Sequence, residues 1–111
     1  MTIHCEVLTG ADGARMGVAT LDAPMALNAL PLPMIEALGD QLQAWARDPG
    51  VVCVLLRGSG AKAFCAGGDV RALAQACRDQ TGSVPPLAAT FFAAEYRLDY
   101  SLHTYPKPLL C

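Results

Sequence analysis

Two adjacent glycines followed by an acid form the part of this sequence best suited to chemistry. Gly67, Gly68 and Asp69 lie within the stretch KAFCAGGDVRAL, residues 62–73, between an apolar run and a pattern typical of a helix. A glycine lets a ligand approach the backbone, and an N–H near a helix start is unpaired and lies in a positive potential. Such an N–H stabilises negative charge that develops on a carbonyl oxygen. One interpretation is therefore an oxyanion-binding site at the Gly68 N–H, with Asp69 capping the helix and bracing the loop.

Two other interpretations of the same region are open. Gly67 and Gly68 would also suit a plain turn, with Asp69 serving only as a helix cap. The stretch GSGAKA, residues 58–63, fits the GxGxxA pattern of dinucleotide-binding loops. That pattern requires a helix that opens within the motif, so that a phosphate meets the helix N-terminus. Because FCAGGD intervenes before any helical pattern, the dinucleotide interpretation is disfavoured.

Other reactive side chains have both a chemical and a structural interpretation. Glu95 lies in FFAAEY, where an acid beside aromatic residues could act on a ligand; the alternative is a solvated helix face. His103 lies at the expected end of the same helix, where a cation interacts favourably with the helix dipole. We prefer this interpretation of His103, or a plain surface role, to a catalytic base. Cys65 has no neighbouring histidine to activate it, which predicts a buried thiol. Glu95 is therefore the acid that we expect at a functional site.

Apolar patterns predict the elements that position these residues. We expect a hairpin over residues 5–22, since TGADGA is a turn sequence between two short apolar segments. The continuous apolar run VVCVLL, residues 51–56, predicts a strand buried on both faces of a sheet covered by helices. Helices are predicted at 31–47, 70–79 and 87–103, a last strand begins at 109–111, and Asn28 is expected to cap the first helix.

Composition limits the classes of function. Of the 111 residues, 53% are hydrophobic and 16% are charged, which suits a single packed unit. The net charge of −2 argues against a surface for nucleic acid or for an anionic membrane. The five cysteines include no CxxC pair and no zinc-type spacing, so we expect buried or half-buried reduced thiols, no metal and a cytoplasmic location.

The last residues carry a separate expectation. LLC, at 109–111, looks like the start of a buried strand, and a chain that ended there would leave backbone groups unpaired. The mean hydropathy of +0.33 is high for a small domain, which predicts burial against further chain or another subunit. We therefore expect residues 1–111 to be the N-terminal part of a single domain, cut at the start of a strand.

Several separated motifs together resemble one superfamily. LDAPMALNAL, DPGVVCVLLRGSGAKAFCAGGDV and YPKP, in this order, resemble the crotonase (enoyl-CoA hydratase/isomerase) superfamily. The resemblance implies an α/β fold, the crotonase-like (ClpP/crotonase) fold of repeated ββα units, of which this chain would form the N-terminal portion. Within the superfamily, QAWARDPGV, AFCAGGDVRAL and FFAAEYRL resemble most the branch that hydrolyses 3-hydroxyisobutyryl-CoA in valine degradation.

The resemblance also implies roles for individual residues. The Gly68 N–H would be the first oxyanion donor to a thioester carbonyl, and Glu95 would be an acid that contacts the substrate. The backbone around Lys62, Ala63 and Ala66 would contact the adenine end of coenzyme A. The substrate- and CoA-binding residues expected in this way are Lys62, Ala63, Ala66, Gly68, Asp69, Arg71 and Glu95.

The sequence also departs from the superfamily pattern. Ala23 and Met25 stand where other members often have basic residues that hold CoA phosphates. The second oxyanion donor and the principal catalytic acids of the superfamily would follow Cys111.

The expected function is acyl-CoA thioester chemistry through a backbone oxyanion hole, with hydrolysis of 3-hydroxyisobutyryl-CoA as the favoured reaction. One alternative is hydration or isomerisation of an enoyl-CoA with the same donor. Another is a non-catalytic fragment, and the 111 residues alone are expected to be inactive. We expect no cofactor apart from the coenzyme A of the substrate, no nucleic-acid or membrane partner, and a homo-oligomer such as a trimer or hexamer.

Overall fold

A four-stranded sheet with three helices forms the described part of the chain. The structure is a computed structural model and describes residues 2–80 and 82–111. The elements are β1 (Thr2–Thr9), β2 (Arg15–Asp22), a short 3-10 helix (Pro24–Ala26), α1 (Leu32–Arg47), β3 (Val51–Gly58), α2 (Arg71–Asp79), α3 (Pro86–His103) and β4 (Leu109–Leu110). The predicted α/β class and the order of the predicted helices are confirmed.

The sheet topology brings two loops to one edge. The strand order is β1-β2-β3-β4; β1 and β2 are antiparallel, whereas β2, β3 and β4 run parallel. Because β2 and β3 are parallel neighbours, their carboxyl ends meet at the same edge of the sheet, which is the usual place for ligands in such sheets. Residues 23–31 leave this edge after β2, and residues 59–70 leave it after β3. We call them the first and second edge loops.

The core lies between one face of the sheet and the helices. Ile35, Leu38 and Leu42 of α1 are buried against Leu56 of β3, and Phe91 of α3 belongs to the same cluster. These α1 positions recur at helical spacing, which is why the sequence predicted both the helix and its buried face.

Trp45 closes the core beside β2. It is also buried, and its ring lies against Gly17, where an added Cβ would be 2.5 Å from Trp45 Cδ2. The strand and α1 therefore approach each other closely only because residue 17 has no side chain.

The prediction that β3 is buried on both faces is wrong. Val52 is 50% exposed, and Arg57 is exposed on the face opposite the helices. Arg57 Nε donates to Thr20 Oγ1 (2.8 Å), and Arg57 Nη2 donates to Glu6 Oε1 (3.0 Å). Arg57, Thr20 and Glu6 therefore form a polar cluster on that face, and the helices cover the other face of the strand.

The prediction for the cysteines is wrong in part. Cys53 and Cys65 are half-buried, as expected for thiols in apolar stretches, but Cys5, Cys77 and Cys111 are exposed. Apolar neighbours in the sequence do not ensure burial. Cys5 lies on β1, the strand at one end of the sheet, and Cys77 lies on α2, a helix in which only Leu73 is buried.

The segment before β4 is attached to the C-terminal end of α1. The Tyr105 hydroxyl donates to Leu42 O (2.7 Å), and Lys107 Nζ donates to the carbonyls of Trp45 and Asp48. Leu109 and Leu110 then pair with β3 in parallel register. The predicted start of a strand near the last residues is confirmed.

Gly39 offers a position where stability should increase. It lies within α1, and a Cβ added there would meet no heavy atom within 4 Å. Glycine inside a helix costs about 0.5–1 kcal/mol relative to alanine, because more backbone entropy is lost on folding. Gly39→Ala should therefore raise the free energy of unfolding by about that amount. Urea denaturation of the natural full-length protein measures it, and an unchanged or lower midpoint would contradict it.

Gly17→Ala is the matched control. A Cβ there would lie within 2.7 Å of three atoms of the Trp45 ring, so that variant should be destabilised.

Candidate functional site

The two edge loops pair with each other around Gly68. Leu30 N–H donates to Gly67 O (2.8 Å), and Asp69 N–H donates to Leu30 O (2.8 Å). These two bonds make an isolated parallel bridge between Leu30 and Gly68. The second edge loop is therefore aligned by the first over the residues predicted to bind an oxyanion.

The Gly68 N–H has the properties of a free donor. Because Leu30 bonds to the residues on both sides of Gly68, the Gly68 N–H itself faces away from Leu30. Within residues 2–80 and 82–111 it donates to no acceptor. The preceding Gly67 has φ +94°, a left-handed conformation that favours glycine. This donor lies three residues before α2, which begins at Arg71.

Glu95 lies directly against Gly68. A Cβ added to Gly68 would be 2.7 Å from Glu95 Oε1 and 2.8 Å from Phe91 Cζ. The position must therefore be a glycine for α3 to approach this closely. Glu95 is half-buried, not part of a solvated helix face. The structure thus brings together the two residues that the sequence singled out for catalysis.

A small apolar cavity lies at this contact. It has a volume of about 170 Å³, and both Gly68 and Glu95 line it. Apolar walls come from Leu56, Phe64 and Leu98. Gly68 and Glu95 therefore share a cavity that is large enough for a few heavy atoms.

Two further cavities continue from Gly68 along the edge loops. A cavity of about 330 Å³ is lined by Gly68, Ala66, Asp69 and Arg71. Next to it, a cavity of about 360 Å³ is lined by residues that include Lys62 and Ala63. Met25 and Leu27 line both. We call the three adjacent cavities the edge groove; every binding residue predicted from the sequence lines it.

Asp69 fixes the second edge loop at the start of α2. Asp69 Oδ1 accepts the Arg71 N–H (3.1 Å) and Arg71 Nε (3.0 Å), and the carboxylate also pairs with the Arg71 guanidinium. The Arg71 side chain and then its backbone N–H lower the pKa of Asp69 below its ordinary value, and Asp69 in turn raises the pKa of Arg71. The N-cap residue is Val70, so the predicted position of Asp69 as cap is wrong by one residue. Its carboxylate nevertheless accepts the backbone N–H of Arg71, the first residue of the helix.

Replacing Asp69 by asparagine should reveal this interaction through its pH dependence. Because the folded pKa is lower than the ordinary value of 3.8, the Asp69 carboxylate stabilises the fold fully above that value. The stabilisation is lost as the pH falls through the lower folded pKa. The difference in melting temperature between wild type and Asp69→Asn should therefore be constant near neutrality and shrink below about pH 4.

Thermal unfolding of the full-length protein at a series of pH values measures this difference. Asp40→Asn, on the exposed side of α1, is the matched control. An equal difference for Asp69→Asn at pH 3 and pH 7 would contradict the assignment.

Asn28 is the residue of the site whose role the sequence did not predict. The expected helix cap is wrong, because the N-cap of α1 is Pro31 and no side chain caps that helix. Asn28 is instead fully buried; its Oδ1 accepts the Ala23 N–H (2.9 Å), and its Nδ2 donates to Ser59 O (2.9 Å) and Ala63 O (3.0 Å). The sequence did contain a signal for this backbone conformation, because asparagine tolerates a left-handed backbone and Asn28 lies among apolar residues in an irregular segment.

The structure does not support a dinucleotide-binding loop at residues 58–63. No helix opens within this stretch, and the next helix, α2, begins only at Arg71. Gly60 has φ +85° and belongs to a turn that lines the edge groove. The phosphate of a dinucleotide would therefore meet no helix N-terminus at this motif.

Among the residues that the structure describes, no helix combines the length and apolarity needed to cross a membrane. In the same residues, no three His, Cys, Asp or Glu side chains are grouped so that they could hold a metal ion.

Comparison with known proteins gives consistent matches. A model of the enoyl-CoA hydratase/isomerase family matches residues 16–111. Among curated proteins, the mitochondrial 3-hydroxyisobutyryl-CoA hydrolase of Danio rerio is 46% identical over 94 residues, which cover 85% of this chain and 24% of that protein. The human protein of the same name is 40% identical over 103 residues, covering 93% of this chain and 25% of that protein. The chain thus spans about a quarter of the length of these relatives.

Solved structures of similar fold come from bacterial enzymes. An enoyl-CoA hydratase from Rhodobacter sphaeroides has a TM-score of 0.78 and 31% identity, over 95% of this chain and 29% of that chain. A carnitinyl-CoA dehydratase from Mycobacterium thermoresistibile has a TM-score of 0.76 and 38% identity, over 93% of this chain and 29% of that chain. The described elements are therefore a part of the fold that these proteins share.

Proposed function

Because the chain belongs to the enoyl-CoA hydratase/isomerase family, we propose that the full-length protein hydrolyses a short acyl-CoA thioester, namely 3-hydroxyisobutyryl-CoA of valine degradation. The observation that carries this proposal is the free Gly68 N–H beside Glu95 at one end of the edge groove. The curated relatives named 3-hydroxyisobutyryl-CoA hydrolase support the choice of substrate. Since the chain spans about a quarter of their length, the complete reaction is proposed for the full-length protein.

The proposed reaction uses Gly68 as an electrostatic donor. The thioester carbonyl oxygen accepts the Gly68 N–H, and a nucleophile, either water or a carboxylate, attacks the carbonyl carbon. Negative charge then develops on the oxygen, where a preorganised N–H stabilises it more than it stabilises the ground state. The C–S bond breaks, the CoA sulfur takes up a proton, and the acid is released; after attack by a carboxylate, water hydrolyses the resulting anhydride.

Glu95 is proposed to contact the acyl group. Its carboxylate lines the 170 Å³ cavity together with Gly68, so a carbonyl bound at the Gly68 N–H would have its acyl chain beside Glu95. A carboxylate accepts hydrogen bonds from a hydroxyl group or from a water molecule. Either contact would orient a hydroxyacyl thioester for attack.

The rest of the edge groove suits the elongated CoA moiety. It continues from Gly68 past Arg71 to Lys62, so a ligand held at the donor can extend along both edge loops. Arg71 and Lys62 carry the positive charges that line it, which favours phosphate groups. Met25, which is 99% exposed, lies between the two outer cavities, where related proteins were expected to have a cation. We therefore propose that Lys62 and Arg71 replace it in holding the phosphates.

No cofactor other than the coenzyme A of the substrate is part of this proposal. A homo-oligomer remains a prediction. The cytoplasmic location also remains a prediction; the 3-hydroxyisobutyryl-CoA hydrolases compared above are named as mitochondrial proteins.

Hydration or isomerisation of an enoyl-CoA is the second candidate function. It is favoured by the solved structures, which are named enoyl-CoA hydratase and carnitinyl-CoA dehydratase. In that reaction the same Gly68 N–H would stabilise a thioester enolate, and different acids would move the protons.

One experiment separates the candidates. The natural full-length protein is incubated with 3-hydroxyisobutyryl-CoA and, separately, with crotonyl-CoA. We expect free thiol to be released from the first substrate and the enoyl absorbance of the second to be unchanged. Hydration of crotonyl-CoA without thiol release would overturn the hydrolase in favour of the second candidate. Absence of both reactions would overturn both candidate functions.

A further inference from the structure

We propose that Asn28 is a positioning residue that holds one end of the edge groove and thereby sets the preference for CoA thioesters over shorter thioesters. This end, lined by Lys62 and Ala63, is where the nucleotide of coenzyme A would bind, and we call it the nucleotide end. This inference rests on the proposed acyl-CoA function. Asn28 is fully buried, and the hydrogen bonds of its side-chain amide all go to residues of the two edge loops. Its Oδ1 accepts the Ala23 N–H, and its Nδ2 donates to the carbonyls of Ser59 and Ala63.

The turn between those two carbonyls is held unevenly. At its start, the Ser59 N–H also donates to Leu21 O (2.8 Å) and the Ser59 hydroxyl to Asp22 Oδ1 (2.8 Å), whereas residues 60–63 make no backbone–backbone hydrogen bond in the described part of the chain. Residues 60–62 belong to neither a helix nor a strand, and Gly60 adopts φ +85°. Together with Ser59 and Ala63, the turn lines the 360 Å³ cavity at the Lys62 end of the groove. The Asn28 amide therefore bonds to both ends of the turn that shapes this cavity, and among the described residues it supplies the hydrogen bond that holds the Ala63 end.

The residue type at position 28 is narrowly defined. Asn28 has φ +56°, which asparagine and glycine adopt more readily than other residues. A Cβ added to Gly58 would be 2.6 Å from Asn28 Nδ2, so the amide also fills the space against that strand end. Aspartate has nearly the same shape and keeps the acceptor for Ala23. It lacks the two donors, however, and would place a buried carboxylate against two carbonyl oxygens, which is unfavourable.

The oxyanion donor is held by a different set of bonds. Gly68 is aligned by the backbone of Leu30, and no side-chain atom of Asn28 bonds to residues 64–69 in the described part of the chain. Loss of the Asn28 amide should therefore disturb the nucleotide end of the groove more than the reacting end. The expected signature is a higher KM with a nearly unchanged kcat.

The test compares two thioesters in the full-length protein. Asn28→Asp should lower kcat/KM for 3-hydroxyisobutyryl-CoA by about tenfold or more, through KM. For the pantetheine thioester of the same acid, which lacks the nucleotide, the loss should be less than about twofold. Gln43→Glu, the same amide-to-carboxylate change on the exposed side of α1, should alter neither value.

Equal losses for the two thioesters, or no loss for either, would overturn the role of Asn28. Asn28→Gly is the second variant, because glycine tolerates the positive φ and introduces no charge; the same substrate-selective loss is expected. The proposed function fails separately, if the wild-type protein hydrolyses neither thioester.

Discussion

Replacing Gly68 by proline should lower kcat on 3-hydroxyisobutyryl-CoA by about 100-fold or more, because removal of one oxyanion donor costs on that order. Proline has no N–H, so the donor that faces away from Leu30 would be lost, while the Leu30 bonds to Gly67 and Asp69 involve other atoms. Steady-state kinetics of the full-length protein measure the effect. The loss should fall on kcat more than on KM, since the interaction strengthens as charge develops.

Gly68→Ala separates the N–H from the space around it. Alanine keeps the donor but places a Cβ 2.7 Å from Glu95 Oε1 and 2.8 Å from Phe91 Cζ. The Glu95 carboxylate can rotate away, whereas the buried Phe91 ring must shift. Proline would meet the same contacts and also lose the donor, so we expect a smaller loss for alanine than for proline. Gly39→Ala is the control for a harmless glycine replacement. A folded Gly68→Pro protein with wild-type kcat would contradict the donor role, and a melting curve establishes that it is folded.

Glu95→Gln should be the second most damaging change, with kcat lower by on the order of 100-fold, as for loss of a residue that positions or exchanges a proton. Glutamine has nearly the same size, so the cavity that residue 95 lines together with Gly68 keeps its shape, but the negative charge is removed. Asp99→Asn is the matched control, because Asp99 lies one turn further along α3 and lines the same cavity. Equal kcat values for the two variants would contradict a specific role for Glu95.

The contact between the two residues adds an internal check. Because Glu95 Oε1 would be only 2.7 Å from a Cβ of residue 68, the effects of Gly68→Ala and Glu95→Gln should not be additive. Additive losses in the double variant would show that the two sites act independently.

Local sequence patterns predicted the elements of the fold well. Helix α1 was expected at 31–47 and spans Leu32–Arg47, because its apolar residues recur on one face that the core buries. β1 proved longer than its apolar part, since it runs from Thr2 to Thr9 although most of its residues are exposed. It pairs with β2 through the backbone along its whole length, which apolar patterns do not register.

The parts of the site that the sequence did not predict depend on distant contacts. Asn28 bonds to carbonyls 31 and 35 residues away, so its local signal, a polar residue before a helix, favoured a cap instead. The burial of β3 on both faces was inferred from its own residues, whereas Arg57 pairs with Glu6 on a strand that is not its neighbour in sequence. The contact of Gly68 with Glu95 follows from the packing of α3 against the second edge loop, which no local pattern encodes.

The central claim is that a thioester carbonyl accepts the Gly68 N–H. The most direct measurement is the amide proton shift of Gly68 in glycine-labelled full-length protein, with a ketone analogue of 3-hydroxyisobutyryl-CoA in which a methylene replaces the sulfur. We predict a marked downfield shift of the Gly68 amide proton with the analogue and little change with coenzyme A alone, as expected for a new hydrogen bond to that N–H. Saturation by the analogue with an unmoved Gly68 amide would contradict the claim.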